Sequence, residues 1–231
     1  MAVSSSSPAS NKRQLDAASS SNERRVKQRV YSHIIIMSAL PDRMSSDDEN
    51  DTREHQKSPQ EYVMSTLESM GTTVQITNSL DEDYFAAPTE EEIKSYTHDV
   101  IAAVRAQDVD KLREFHKNGR PLKCSNQFGE SLLHMACRRG YLDVASFLIN
   151  QAGVTVQVRD DYGRTPMHDA CWTCEPNFEL LELLMKKCPS LLFLKDRRGH
   201  TPLQYTRREH WEAYVRFLSQ RHELFINEYT A

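Results

Sequence analysis

Apolar residues recur at helical spacing only from about residue 93 onward. From there the chain reads as pairs of short helices. The second helix of each pair is marked by Leu112 and Phe115, by Val144, Phe147 and Leu148, by Leu180, Leu181, Leu183 and Leu184, and by Tyr214, Val215, Phe217 and Leu218. Thr165-Pro166 and Thr201-Pro202 open first helices. A threonine N-cap accepts a free helical N–H, and proline at the first helical position has none to lose. Small residues follow at Ala136-Cys137 and Ala170-Cys171, allowing close helix approach, and Gly140 permits the turn between helices. Stacked, the second helices form one core that no single pair could bury.

Before residue 89 this pattern is absent. Residues 1–88 are rich in Ser, Asp, Glu, Gln and Asn, which predicts a disordered tail and a proteolytic core beginning near Pro88. Two apolar islands interrupt it: residues 30–40, and residues 63–76, each a candidate segment that folds on a partner or transient structure without a role. Thr89 with Glu92 predicts a capping box extending the first helix toward its N-terminus, and residues 222–229 predict a final short helix.

The helix pairs repeat in register. GESLLHMACRRGYLDVASFL (129–148), GRTPMHDACWT with a two-residue insertion and PNFELLELL (163–184), and GHTPLQYTRREHWEAYVRFL (199–218) align. Their leading glycines, Gly129, Gly163 and Gly199, are 34 and 36 residues apart. Asn126, Asp160 and Asp196 stand before them, and His134, His168 and Gln204 after. HDVIAAVRAQDVDKLREFHKNG (98–119) is a fainter copy. Period, TPxH core and glycine positions resemble the ankyrin repeat over residues 93–220. The resemblance implies an all-α repeat solenoid, helix-turn-helix units joined by β-hairpin-type loops, behind the disordered N-terminal tail. The ankyrin-repeat domain spans 89–220, with repeats at 93–125, 126–159, 160–195 and 196–220, and 221–231 as a C-terminal cap or tail. Ser131-Leu132 departs from Thr-Pro, and Gln204 with Thr206-Arg207 departs from the histidine and small pair, which suits a terminal repeat.

One motif competes with this reading. His168, Cys171 and Cys174, joined by Cys188, offer zinc-ligand or thiol chemistry. The repeat supplies other roles: the TPxH histidine holds the hairpin and helix start, and Cys137 and Cys171 occupy a small buried position. Gly119, Gly129, Gly140, Gly163 and Gly199 occupy turns, leaving none of the seven glycines' usual phosphate-loop patterns. No nucleophile elbow or paired-acid motif stands out, so the expectation is no enzyme, no metal and no cofactor. A structural subunit of a larger assembly is a third reading.

Charge divides the chain. Residues 1–92 carry 9 Lys and Arg against 16 Asp and Glu, and residues 93–231 carry 20 against 17. Within the tail, a basic cluster at 12–29 precedes an acidic stretch at 42–92. Lys12-Arg13 and Arg24-Arg25, with Lys27 and Arg29, resemble a bipartite nuclear-import signal, two cationic groups meeting acidic pockets on an import receptor. The expected location is the nucleus, with the cytoplasm as a second compartment. Five cysteines and no export signal fit a reducing compartment. No apolar run approaches membrane-spanning length, and the acidic stretch argues against direct nucleic-acid binding. Ser45, Ser46 and Ser58-Pro59 resemble kinase acceptors.

The ankyrin arrangement implies a protein partner on the concave face. It selects Phe128, Tyr162 and Arg198 at the hairpin tips, then Met135, Arg138, Asp169, Trp172, Tyr205 and Arg208 on the first helices. Aromatic anchors mixed with arginines favour an acidic or acidic-aromatic segment, a chemistry that the chain's own residues 47–92 share.

Overall fold

The computed structural model describes residues 57–81 and 85–226. The import signal (Lys12, Arg13, Arg24, Arg25, Lys27, Arg29), the island at 30–40, Ser45, Ser46 and residues 227–231 lie outside the described residues.

The body is a stack of helix pairs. Helices α3 (His98–Arg105) and α4 (Val109–Lys117) form the first repeat, α5 (Leu132–Arg138) and α6 (Leu142–Asn150) the second, and α7 (Pro166–Cys171) and α8 (Phe178–Lys187) the third. The fourth has 3-10 turns Pro202–Tyr205 and Arg208–His210 in place of a first helix, followed by α9 (Trp211–Gln220) and α10 (Glu223–Ile226). The first-helix elements of repeats two to four pack in series, and Ala136, Cys137, Ala170 and Cys171 at their contacts are buried. Repeat four loses its α-helix where Thr206-Arg207 replaces the small pair. Thr206 Oγ1 donates to the Leu203 carbonyl at 2.7 Å, a local bond that competes with the helical ladder.

The spacing of Asn or Asp before each glycine has a hydrogen-bonding cause. Asp160 Oδ1 accepts the backbone N–H groups of Tyr162 (3.0 Å) and Arg164 (2.8 Å). Asn126 and Asp196 clasp their hairpins in the same way. The following glycine must turn with φ of +77° at Gly129, +76° at Gly163 and +83° at Gly199. Adjacent hairpins are then joined by Asp161 N–H to Phe128 O and Arg197 N–H to Tyr162 O, both 2.8 Å.

The boundary expected at residue 88 is corrected by the structure, because residues 57–81 are folded. Helix α1 (Pro59–Ser69) lies against α9 and the Pro202–Tyr205 turn, burying Pro59, Val63 and Leu67. These residues are four apart, one helical stripe that composition averaged over a polar tail conceals. Ser58 caps the helix, with a reciprocal bond from Ser58 N–H to Glu61 at 2.7 Å. Thr201 Oγ1 donates to Gln60 Oε1 at 2.6 Å.

Strand β1 (Thr77–Asn78) then pairs in parallel with β2 (Leu194–Lys195). Ser79, fully buried, donates its N–H to Lys195 O (2.9 Å) and its hydroxyl to Gly163 O. Phe85 is buried in turn, and residues 86–89 line a cleft of about 290 Å³ with Cys124, Ser131, Val154, Thr155 and residues 157–159. The segment is therefore a strap. It contacts the last repeat first and reaches the loops of repeats one and two before α2 (Glu90–Ser95) begins.

Thr89 and Glu92 form the expected capping box. It starts the separate helix α2, broken from α3 at Tyr96-Thr97, and does not extend α3. The final helix is α10, Glu223–Ile226.

Candidate protein-binding face

His134 and His168 hold successive repeats together. His168 Nδ1 accepts the Thr165 N–H at 3.1 Å, which leaves Nε2 to donate to the His200 carbonyl at 3.1 Å. His134 makes the same pair with Ser131 N–H and Arg164 O. Each histidine thus completes its own helix start and ties down the hairpin of the following repeat. Burial pushes His168 down to about 4, against the opposing pull of the His200 carbonyl and Asp196, so the ring is neutral.

This carries a pH signature. The unfolded chain takes up the His168 proton near pH 6.5 and the folded protein only near 4. The contribution is complete above the unfolded value and is lost as pH falls toward the folded one, amounting at most to about 3 kcal/mol. Denaturation of wild type and His168→Gln across pH 4–7 is expected to show a shallower acid slope in the variant, on a lower baseline. Parallel slopes would remove His168 as the source.

The zinc or thiol alternative is corrected by the same geometry. Both His168 nitrogens are engaged, Cys171 is buried and its thiol pushed up by burial, and Cys174 is exposed beside Arg207 at 3.3 Å. Cys188 lies against Gln157 and Ser190. Among the described residues no group of three or more His, Cys, Asp or Glu side chains is placed to hold a metal ion.

The nine concave-face residues divide by role. Asp169 is fully buried and Met135 nearly so. Arg138 forms a bidentate pair with Asp169, Nε to Oδ1 at 3.1 Å and Nη2 to Oδ2 at 2.9 Å, while its Nη1 reaches Glu130 at 2.7 Å. Burial alone would lower Arg138, but the two carboxylates hold it above its ordinary value. Arg138 and Asp169 are therefore tied to each other, Arg138 linking repeats two and three. This is a correction to their expected place on a free surface. Glu130, eight residues before Arg138, was missed because nothing in the repeat pattern marks it.

A second buried pair, Arg164 with Asp160, has two bonds of 2.8 and 2.6 Å. Arg164 also lies 5.4 Å from the ring of Tyr162, which is half-buried like Phe128 at the neighbouring tip. Arg198 and Arg208 are exposed. Trp172 is half-buried 6.1 Å from the Tyr205 ring, and Tyr205 packs edge-on to His168 and His200. Its hydroxyl donates to Asp196, and burial together with that carboxylate raises it far above the usual phenol range. Trp172 and Tyr205 thus form one aromatic pair across the third and fourth repeats, and Arg198 and Arg208 are exposed on the fourth. The sequence reading also passed over Arg197 and Arg207, exposed next to the residues it chose.

Residues 100–191 match the family model described as ankyrin repeats (3 copies). Residues 100–191 thus form ankyrin repeats, in agreement with the stacked helix pairs. It is 35% identical over 71 residues to "Putative glutaminase 2" of Caenorhabditis elegans, covering 31% of this chain and 12% of that one. It is 32% identical over 95 residues to "SMC5-SMC6 complex localization factor protein 1" of Homo sapiens, covering 41% and 8%. With "Putative ankyrin repeat protein" of Rickettsia bellii it shares 30% identity over 106 residues, covering 46% and 57%. The chain spans about a tenth of the length of the first of these relatives. Ankyrin-repeat domains serve as protein-interaction modules and are generally non-catalytic. Among the described residues no helix is long and apolar enough to cross a membrane.

Proposed function

We propose that the protein is a noncatalytic adaptor or regulatory scaffold that binds an acidic or acidic-aromatic protein segment through the third and fourth repeats. The carrying observation is the Trp172–Tyr205 pair, with Arg198 and Arg208 exposed on the same repeat as Tyr205, on a scaffold that fixes it. Tyr205 is held by Asp196, the hairpins are clasped to each other, and little ordering cost is left for binding. Large aromatic side chains and arginines are the types that most often anchor interfaces. The face narrows relative to the sequence expectation, since Arg138 and Asp169 satisfy each other.

Partner capture with the full chain tests this reading. Trp172→Ala with Tyr205→Ala is expected to lose the wild-type partners, through about 2 kcal/mol or more per anchor and mainly faster dissociation. Retention of every partner by a folded double variant would place binding elsewhere.

Nuclear residence is the second part of the proposal, supported by the two basic clusters at 12–29. A reporter fused to residues 1–40 should enter the nucleus, and alanines at Lys12, Arg13, Arg24 and Arg25 should return it to the cytoplasm. Unchanged accumulation in the variant rules the clusters out.

A further inference from the structure

The molecule handles its arginines in two ways. Inside the stack, cations are met by carboxylates: Asp160 takes the Arg164 fork, and Asp169 with Glu130 takes Arg138. On the fourth repeat four arginines are left facing solvent, Arg197 and Arg198 on the hairpin tip and Arg207 and Arg208 on the loop before α9. Among the described residues, no carboxylate lies within ion-pair distance of Arg197, Arg198 or Arg208. Arg207 has only the exposed Glu209, at 3.6 Å. Such exposed charges add little to folding, so stability does not account for this concentration of cations.

The placement is ordered. Arg207 rests on Cys174 at 3.3 Å, His210 Nε2 contacts the Cys174 carbonyl at 2.9 Å, and Arg208 lies 5.9 Å from the Trp211 ring. The Asp196–Tyr205 bond ties the hairpin bearing Arg197 and Arg198 to the turn that leads into Arg207. Arg198 acts electrostatically on the Tyr205 hydroxyl, and Arg207 touches Cys174, two residues from Trp172.

The chemistry of the ligand follows from stoichiometry. A carboxylate carries one charge and can be met by one guanidinium fork, as Asp169 is by Arg138 in this protein. A phosphate monoester carries about −1.5 to −2 charges and three strong acceptor oxygens, which call for more than one fork. Arginine, whose planar donors match phosphate oxygens, is the basic residue at all four positions. The aromatic pair alongside gives a peptide side chain a surface to cover.

We propose that the fourth-repeat surface formed by Arg197, Arg198, Arg207 and Arg208 together with Trp172 and Tyr205 binds a phosphoserine- or phosphothreonine-bearing segment of a protein partner. This rests on the concave-face reading and specifies its ligand. A polypeptide segment is favoured over nucleic acid because the chain's net charge is −4.

The test titrates the full chain, followed by anisotropy of labelled probes, with a Glu-Asp-Tyr-Ser-Asp-Glu peptide, the same peptide phosphorylated on serine, and a uridine decamer. The phosphopeptide is expected to bind at least about tenfold more tightly than the unmodified peptide. Arg198→Glu with Arg207→Glu should abolish that preference, while Arg105→Glu, an exposed change in repeat one, should leave it. Circular dichroism of each variant reports folding, and inorganic phosphate added as competitor should weaken the phosphopeptide selectively.

Equal affinity for the two peptides overturns the phosphate assignment while leaving the broader reading to the capture experiment. Tighter binding of the uridine decamer overturns it in favour of a nucleic acid. Absence of phosphopeptide binding up to about 1 mM overturns it as well.

Discussion

Arg138→Met is expected to destabilise the protein by about 3–5 kcal/mol, the range for stranding one member of a buried ion pair. Asp169 is fully buried, and Arg138 supplies both bonds to its carboxylate oxygens. Methionine keeps much of the apolar stem but leaves a carboxylate in a low-dielectric site without its cation. Asp169→Leu in the same background removes the stranded charge and should recover most of the loss, because an apolar pair of similar volume often replaces a buried ion pair without cost. Urea denaturation of the two single variants and the double variant supplies the cycle. A loss below about 1 kcal/mol for Arg138→Met would show that Asp169 finds another partner.

The repeated elements were legible because their signals are local. Thr165 before Pro166, glycine at Gly129, Gly163 and Gly199, and leucines through 180–184 each constrain the backbone within a turn or two of their own position. Their recurrence at nearly constant spacing supplied the tertiary arrangement. Arg138 and Asp169 misled for the converse reason. Their repeat positions permit exposure, but their partners lie 31 residues apart, and only the stacked structure brings them together.

Residues 57–81 were misread because Val63, Leu67 and Ser79 bury themselves against repeats more than a hundred residues downstream or, for Ser79, at Gly163. A window containing Ser65, Thr66, Glu68 and Ser69 looks incapable of a core when taken alone. The stripe Pro59–Val63–Leu67 was the available clue, and the Ser58–Glu61 capping box was the other. The fourth repeat explains the need for the strap. With 3-10 turns in place of a first helix, it has less structure to close the stack, and α1 covers it from the other end of the sequence.

Gly163→Ala isolates the strap from the ordinary cost of replacing a turn glycine. Gly163 and Gly199 occupy equivalent hairpins with φ of +76° and +83°, so alanine at either pays the left-handed backbone penalty, about 1–2 kcal/mol. Their surroundings differ. An added methyl at Gly199 meets nothing within 4 Å, whereas at Gly163 it would come within 3.2 Å of Leu80 and closer still to Ser79 Oγ. Ser79 cannot simply retreat, since it is fully buried and bonded to both Gly163 O and Lys195 O. Gly163→Ala is therefore expected to cost about 1–3 kcal/mol more than Gly199→Ala, the range for forcing atoms into a packed site. Hydrogen exchange should localise the difference, with amides of α1 and β1 losing protection in Gly163→Ala but keeping it in Gly199→Ala. Ser79→Gly in the Gly163→Ala background removes the nearest opposing atom and should narrow the gap. Equal stability of the two single alanine variants, with unchanged exchange across residues 59–80, would show that the strap does not bear on the third-repeat hairpin.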